Sequence, residues 1–406
     1  MADPRITFED TSVAFASKTN WDLKKARLVF ETMKYPWMVK LGTTLTTRAL
    51  NWHLPVKGLI KNTLFSQFCG GESIRDCQAT IDALGQYGVQ TILDYSVEGQ
   101  ENEDSFDATL RESLEVVSFA KNQEHIAFCV IKFTGLGSAA LMTKVQAGET
   151  LTSEEKEQYE RFENRVHVLA EAVAQNGLRL MVDAEETWIQ DEIDRLTYEL
   201  MMLHNKEEAI VYNTYQLYRH EALKNMQRAY DRLGGKGFFF GAKVVRGAYM
   251  EKERARAESL GYVDPIQPDK ASTDKDYNLA LDFALAHIEK FRLCAGTHNE
   301  LSSSTLADKF EEAGIEKGDK RIFFAQLLGM SDNISFQLAK SGYNVAKYVP
   351  YGPVKEVLPY LFRRADENTS IAGQSGRELT LVKKEIQRRR QVGGWFLPAR
   401  NATFAF

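Results

Sequence analysis

The sequence predicts an α/β protein, a (β/α)8 TIM-type barrel with a helical region ahead of it. Three observations carry that reading. From about residue 88 short apolar runs recur, without the alternation of a sheet that is wet on one side. Longer segments between them, such as 104–122 and 302–314, place apolar residues at helical spacing. No Gly-x-Gly-x-x-Gly follows any run, which argues against an open doubly wound sheet.

Eight strands are expected: VQTILDY (89–95), IAFCVIKF (126–133), LRLMVDAE (178–185), AIVYNTY (209–215), FFFGAKVVRG (238–247), FRLCAGTH (291–298), RIFFAQLLG (321–329) and YNVAKYVP (343–350). Ahead of them, residues 1–87 form a helical N-terminal region expected to pack on the barrel. There Trp21 to Met33 and Trp37 to Trp52 read as helices, and Gly70-Gly71 breaks the chain. The barrel itself is expected over 88–385. Residues 386–406 form a tail, basic and then Gly/aromatic-rich, expected to be loosely ordered.

The bulk properties narrow the function. At 406 residues, 44% hydrophobic and 26% charged, the chain reads as soluble and globular. A net charge of −5 argues against nucleic acid as the main partner. The four cysteines, Cys69, Cys77, Cys129 and Cys294, lack metal-ligand spacing, and Cys129 and Cys294, in apolar runs, read as reduced core residues. No run approaches the roughly 20 apolar residues of a membrane span. The start, MADPRITFED, has no signal-peptide run, so a bacterial cytoplasmic protein is the plain expectation.

Barrel active sites lie at the C-terminal strand ends. Those ends carry Lys132, Asp183, Asn213 with Gln216, Lys243 with Arg246, Thr297 with His298, Gln326, and Lys347 with Tyr348. Any one of these is better read as a solvated strand end, but so many around one rim are harder to dismiss. Cations outnumber anions there, with Lys132, Lys243, Arg246, Arg363 and Arg364 set against Asp183 and Glu185, which implies an anionic guest. Tyr249, Tyr348, Tyr351 and Tyr360 could wall a pocket, although each alone reads as a packing residue. His298 reads equally as a ligand contact or a structural group. The other histidines fall on expected helices or strand starts, so no metal site is expected. The mixed charges of EKERARAESLGY (251–262) read as a solvated helix face.

In YLFRRADEN (360–368), Tyr360, Arg363, Arg364 and Glu367 share one helix face. A second face, Val354, Val357, Leu358, Leu361 and Ala365, has core spacing and is expected to anchor the helix on the barrel.

These motifs, with AKVVRGAYMEKER (242–254), MVDAEE (181–186) and THN (297–299), resemble the flavin-dependent proline dehydrogenases, in the same order and over about residues 65 to 370. The long GAYMEKERARAESLGY segment and the extended N-terminal region look more like the eukaryotic-type monofunctional branch. The resemblance implies FAD as cofactor and oxidation of L-proline to 1-pyrroline-5-carboxylate by hydride transfer to flavin N5, the first step of proline catabolism. It further implies a quinone electron acceptor, peripheral contact with a membrane surface, and a separate pyrroline-5-carboxylate dehydrogenase downstream. The location expected is the cytoplasm or the face of the inner membrane, or the mitochondrion if the source is eukaryotic.

Carried over residue by residue, Arg363 and Arg364 would bind the substrate carboxylate, assisted by Lys132. Tyr249, Tyr348 and Tyr360 would enclose the ring, with Leu327 as an apolar wall. Asp183 would order the substrate-side ion pairs. Lys243 would stand near flavin N5, where many relatives have arginine. Gln216, Arg246, Gly247, Ala248, Thr297, His298 and Glu367 would contact FAD. Tyr348 favours proline over hydroxyproline. Three alternatives stay open: a hydroxyproline dehydrogenase of the same family, a Schiff-base aldolase-type barrel using Lys132 or Lys243, and an inactive barrel serving as a binding module.

Overall fold

The structure is a computed structural model that describes residues 6–35, 37–39, 42, 48, 52, 56–97, 101–370 and 374–393. The side chains of 366–370, 374 and 375 are outside that description. Most of the helix expected at Trp37 to Trp52 also lies outside it, as do the last residues of the expected tail.

Eight parallel strands close into a barrel in chain order: β1 (Val89–Tyr95), β2 (Ile126–Ile131), β3 (Leu180–Val182), β4 (Val211–Gln216), β5 (Phe240–Val245), β6 (Phe291–Gly296), β7 (Ile322–Leu327) and β8 (Val345–Tyr351). All eight expected strands are present. Most are shorter than their apolar runs, with residues such as Ile210, Phe239 and Leu328 falling outside the strands. Two compact units are distinguished along the chain, one comprising Met1–Glu98 with Gln326–Phe406, the other Gly99–Ala325.

In the 99–325 unit, several helices begin where a short polar side chain can cap the first turn. Asn102, Thr152, Asp269 and Asn299 each accept a backbone N–H two or three places into the helix that follows. Near the N-terminal ends of its strands the interior is plugged by aromatic rings. Phe128 meets Tyr212 and Phe323 edge-on, with centroids 5.1 Å and 5.2 Å apart. The polar residues of the opposite strand ends are thereby left to line whatever opens there.

The other unit holds β1 and β8, in register from Val89 opposite Val345 to Tyr95 opposite Tyr351. Its helices include α1 (Thr11–Ala14), α2 (Asn20–Met33), α3 (Asp332–Lys340), α4 (Leu358–Ser370) and α5 (Gln374–Gln391). The apolar face of α4 is buried as expected, but its partners differ. Leu358, Leu361 and Ala365 of α4, with Val354 and Val357 from the turn ahead of it rather than from the helix, share one core with Leu23 and Phe30 of α2 and Leu381 and Val382 of α5. Both of those helices carry an apolar stripe that α4 covers. The start of the expected loose tail is likewise helical, since α5 runs to Gln391. Arg389 donates to the carbonyls of Phe15 (2.9 Å) and Lys18 (2.9 Å), and the buried Glu385 holds Arg388 and Arg389.

Leu361 is fully buried in this shared core. Leu361→Ala is expected to remove about 2–5 kcal/mol of stability, read as a lowered thermal midpoint. An unchanged midpoint would show that the face is not packed.

Candidate active site

The end of β3 carries a carboxylate held by two lysines. Asp183 continues the ladder, its N–H donating to Ile131 O at 2.9 Å, which fixes its side chain beside the ends of β2 and β5. Lys132, just after β2, donates to Asp183 Oδ2 at 3.0 Å. Lys243, buried in β5, donates to Asp183 Oδ1. Sequence-predicted Asp183, Lys132 and Lys243 are therefore in direct contact. Lys132 is the more exposed ammonium, at 33% against 9% for Lys243. The carboxylate is thus shared between one buried and one half-buried cation.

Two residues on, Glu185 is buried and acts as a hub. Its carboxylate accepts the N–H (3.1 Å) and hydroxyl (2.5 Å) of Thr134, tying down the turn that follows Lys132. Its own N–H donates to Gln190 Oε1 (2.8 Å), and its carbonyl accepts from Gln216 Nε2 (2.8 Å). Gln216 in turn accepts the N–H of Ala248 at 3.2 Å. Burial outweighs these hydrogen bonds and pushes the Glu185 carboxyl up to about 7. Tyr249 ends the same loop, half-buried, its N–H donating to the Tyr218 hydroxyl at 3.3 Å. Burial, then the nearby Glu185 carboxylate, hold its phenol above the ordinary range.

Arg246 is fixed on three sides. It donates to Asp274 (2.6 Å), Thr297 Oγ1 (2.5 Å) and Ser302 Oγ (3.0 Å), and its guanidinium lies 4.4 Å from the centre of the Tyr277 ring. Beside it, Gly247 has φ 143, and a Cβ there would sit 2.4 Å from the Tyr218 ring, so only glycine fits. Thr297 is itself placed by its N–H bond to Ala325 O (3.0 Å), and His298 follows it, half-buried. Thus Gln216, Arg246, Gly247, Ala248 and Thr297 are brought together as the sequence suggested.

In the other unit, Leu327 and Tyr348 are half-buried at the ends of β7 and β8. On α4, Tyr360 is buried, Arg363 and Arg364 are half-buried, and Arg364 lies over the Tyr360 ring at 5.2 Å. The Glu367 side chain is outside the described residues.

Three strand-end residues are not site groups. Lys347 is fully buried against Asp332 (2.8 Å), Asn213 donates to Asp194 (2.9 Å), and Gln326 accepts from Ser335 (2.8 Å). Side chains alternate along a strand, so these serve the layer behind it. Sequence reasoning missed Glu185 as a hub, together with Thr134, Gln190, Asp274, Tyr277 and Ser302. A signal existed for Gln190 and Asp194, polar residues four apart beside Ile189 and Ile193 on a helix face that should be apolar. Asp274 and Ser302 carried none.

A carboxyl raised in the folded state costs stability as pH climbs from its ordinary 4.5 to about 7, because the unfolded chain has by then lost its proton. Glu185→Gln is therefore expected to gain in thermal midpoint over the native chain between pH 5 and pH 8. A difference that stays flat across that window would show Glu185 ionised in the usual range.

The proline dehydrogenase family model matches residues 77–377. Proline dehydrogenase 1, mitochondrial, of Homo sapiens is 45% identical over 248 residues, covering 60% of this chain and 41% of the human protein. The Dictyostelium discoideum protein of the same name is 34% identical over 426 residues, covering 94% and 74%. This chain thus spans under half of the human relative's length. Among solved structures, proline utilization A from Bdellovibrio bacteriovorus inactivated by N-propargylglycine superposes with a TM-score of 0.70 at 21% identity, over 82% of this chain and 36% of that one, a likeness of fold. On the extent of the model match and the identity carried across nearly its whole length, the chain belongs to the proline dehydrogenase family.

Proposed function

We propose that this chain oxidises L-proline to 1-pyrroline-5-carboxylate with FAD as its cofactor. The observation that carries the reading is α4, where Tyr360 is buried with the core while Arg363 and Arg364 beside it are half-buried. A forked pair of guanidiniums fits a carboxylate, and an adjoining aromatic ring fits the hydrocarbon of a small cyclic amino acid.

The residues present fit a flavin dinucleotide. Arg246 is held rigid as a cation beside the exposed backbone of Gly247 and Ala248, which suits an anionic diphosphate. Gln216, Ala248, Thr297, His298 and Glu367 complete the proposed set. When bound, FAD supplies the acceptor for the hydride leaving the carbon beside the ring nitrogen.

The chain's own contribution is position and charge. Arg363 and Arg364 hold the carboxylate end and so fix the distance of the reacting carbon, an orientation effect that lowers the barrier. Lys132 adds positive charge for the same carboxylate, its ammonium steadied by Asp183. Tyr249, Tyr348, Tyr360 and Leu327 enclose the ring and exclude water. Lys243, held by Asp183, would offer a bound flavin a fixed cation that favours its reduced, anionic form. An aldolase-type nucleophile would need a neutral amine, whereas both lysines are ion-paired to Asp183.

The electrons pass on to a quinone, so the protein works against a membrane surface. Among the described residues no helix is long and apolar enough to cross one. A separate dehydrogenase takes the product. In a eukaryotic cell the setting is the mitochondrion, as in the names of the relatives; in a bacterium it is the cytoplasm, at the inner membrane.

The purified chain is expected to be yellow and to bleach on L-proline. A colourless protein still inert after FAD is supplied would overturn the reading, and bleaching by hydroxyproline alone would correct the substrate. Arg364→Ala is expected to raise KM for proline about tenfold or more, the scale of one lost hydrogen bond between charged groups, while FAD stays bound. Loss of FAD instead would assign the arginine to the cofactor.

A further inference from the structure

A second polar cluster, unused by the chemistry above, lies behind β8. Lys347 is fully buried, yet its ammonium is satisfied by Asp332 Oδ1 (2.8 Å), Met330 O (2.5 Å) and Leu327 O (3.3 Å). Two of these acceptors are backbone carbonyls of the turn that leaves β7. The cation therefore staples that turn to β8. Asp332, also buried, opens α3 and has Lys18 at 3.9 Å as a second cation.

The same turn is gripped from α5. Ser331 sits at φ 50, the only positive-φ residue other than glycine among those described. Its N–H donates to Glu378 Oε1 at 2.6 Å, and its hydroxyl lies 3.4 Å from that oxygen. Glu378 is buried on α5. A third hold comes from Gln67, whose Nε2 donates to Gly329 O at 2.8 Å. Gly329 has φ 77, and a Cβ there would fall 2.0 Å from Gln67 O, so the two backbones touch. Leu328 N–H completes the fixation on Tyr348 O at 2.9 Å.

We infer that Lys347, Asp332 and Glu378 are positioning residues for the substrate pocket, acting through the Leu327–Ser331 turn. This rests on the roles proposed above for Leu327 and Tyr348. The turn begins at Leu327 and is bonded to the backbone of Tyr348, while Lys347 and Tyr348 point to opposite faces of one strand. The staple thus lies directly behind the residues that meet the ring. An apolar cluster of equal volume would hold the layers together at least as well. What these buried polar groups add is direction, since the Lys347 ammonium donates to, and the Asp332 and Glu378 carboxyls accept from, particular atoms of the turn and its neighbours. The C-terminal helix α5 thereby becomes part of the pocket's support without touching substrate.

The test compares Glu378→Ala with Glu378→Gln in the FAD-loaded chain. E378A removes the acceptor for Ser331, whereas E378Q keeps it. E378A is expected to raise KM for L-proline on the order of tenfold, the scale of leaving a buried N–H without its acceptor, with kcat and the flavin spectrum changed little. E378Q is expected to return KM to near native. Should E378A fail to fold, Glu378→Asp, which withdraws the oxygen by one methylene, carries the same expectation with a smaller factor. A native KM in E378A, or an E378Q as impaired as E378A, overturns the inference. Hydrogen exchange at the amides of 328–332 reads the turn with no turnover at all. Faster exchange in E378A supports the positioning role, and unchanged exchange overturns it even if the chain oxidises proline. A native chain that does not bleach on proline overturns the functional reading instead.

Discussion

A single carboxylate neutralising two lysines sets the character of the strand ends from β2 to β5. Asp183 cannot be removed without leaving Lys243 in the interior with its charge uncompensated, a change that typically costs several kcal/mol. Nor can either lysine turn away without freeing Asp183 to find another partner. The arrangement therefore locks three strands' terminal side chains with respect to one another. Thr134, held by Glu185, extends that lock into the loop after β2. From there Gln216 and the Ala248 amide extend it to the loop after β5. What looks like a row of separate polar residues is one hydrogen-bonded lattice, in which geometry is inherited from neighbour to neighbour.

Arg246 shows the same economy with a different chemistry. A guanidinium presents donors in a fixed plane, so bonds to Asp274, Thr297 and Ser302 leave it almost no freedom, and the Tyr277 ring closes one of its faces. A lysine there would keep the charge and lose the plane. The buried network behind β8 repeats the principle, with ammonium and carboxylates aimed at backbone carbonyls and amides rather than at each other alone.

Much of this was legible in the residues. The eight strands announce themselves as apolar runs, and the spacing of Leu358, Leu361 and Ala365 states that one face of α4 is buried. Asp183, Lys132 and Lys243 are visible as polar residues ending apolar runs. What covers α4 was not legible, because amphipathic stripes say that a face needs a partner and never which one. Lys347 misled for a related reason. A strand end offers two faces, and only its pairing with Asp332, 15 places earlier, shows which one its side chain takes. Glu185 was seen as a charge and missed as a hub, since its partners Thr134 and Gln190 come from two other elements that tertiary folding brings together.

The core that joins α2, α4 and α5 also bears on how the chain is made. Leu23, Phe30 and Met33 emerge from the ribosome early, but Leu381, Val382 and Ile386, which share their core, are among the last residues described. At about 5–20 residues per second, the stripe of α2 waits on the order of tens of seconds for its cover. During synthesis that stripe is an exposed apolar surface, because α2 is made long before the α5 residues that share its core. Newly made protein therefore depends on something else, whether a chaperone or transient collapse, to occupy that face until α5 arrives.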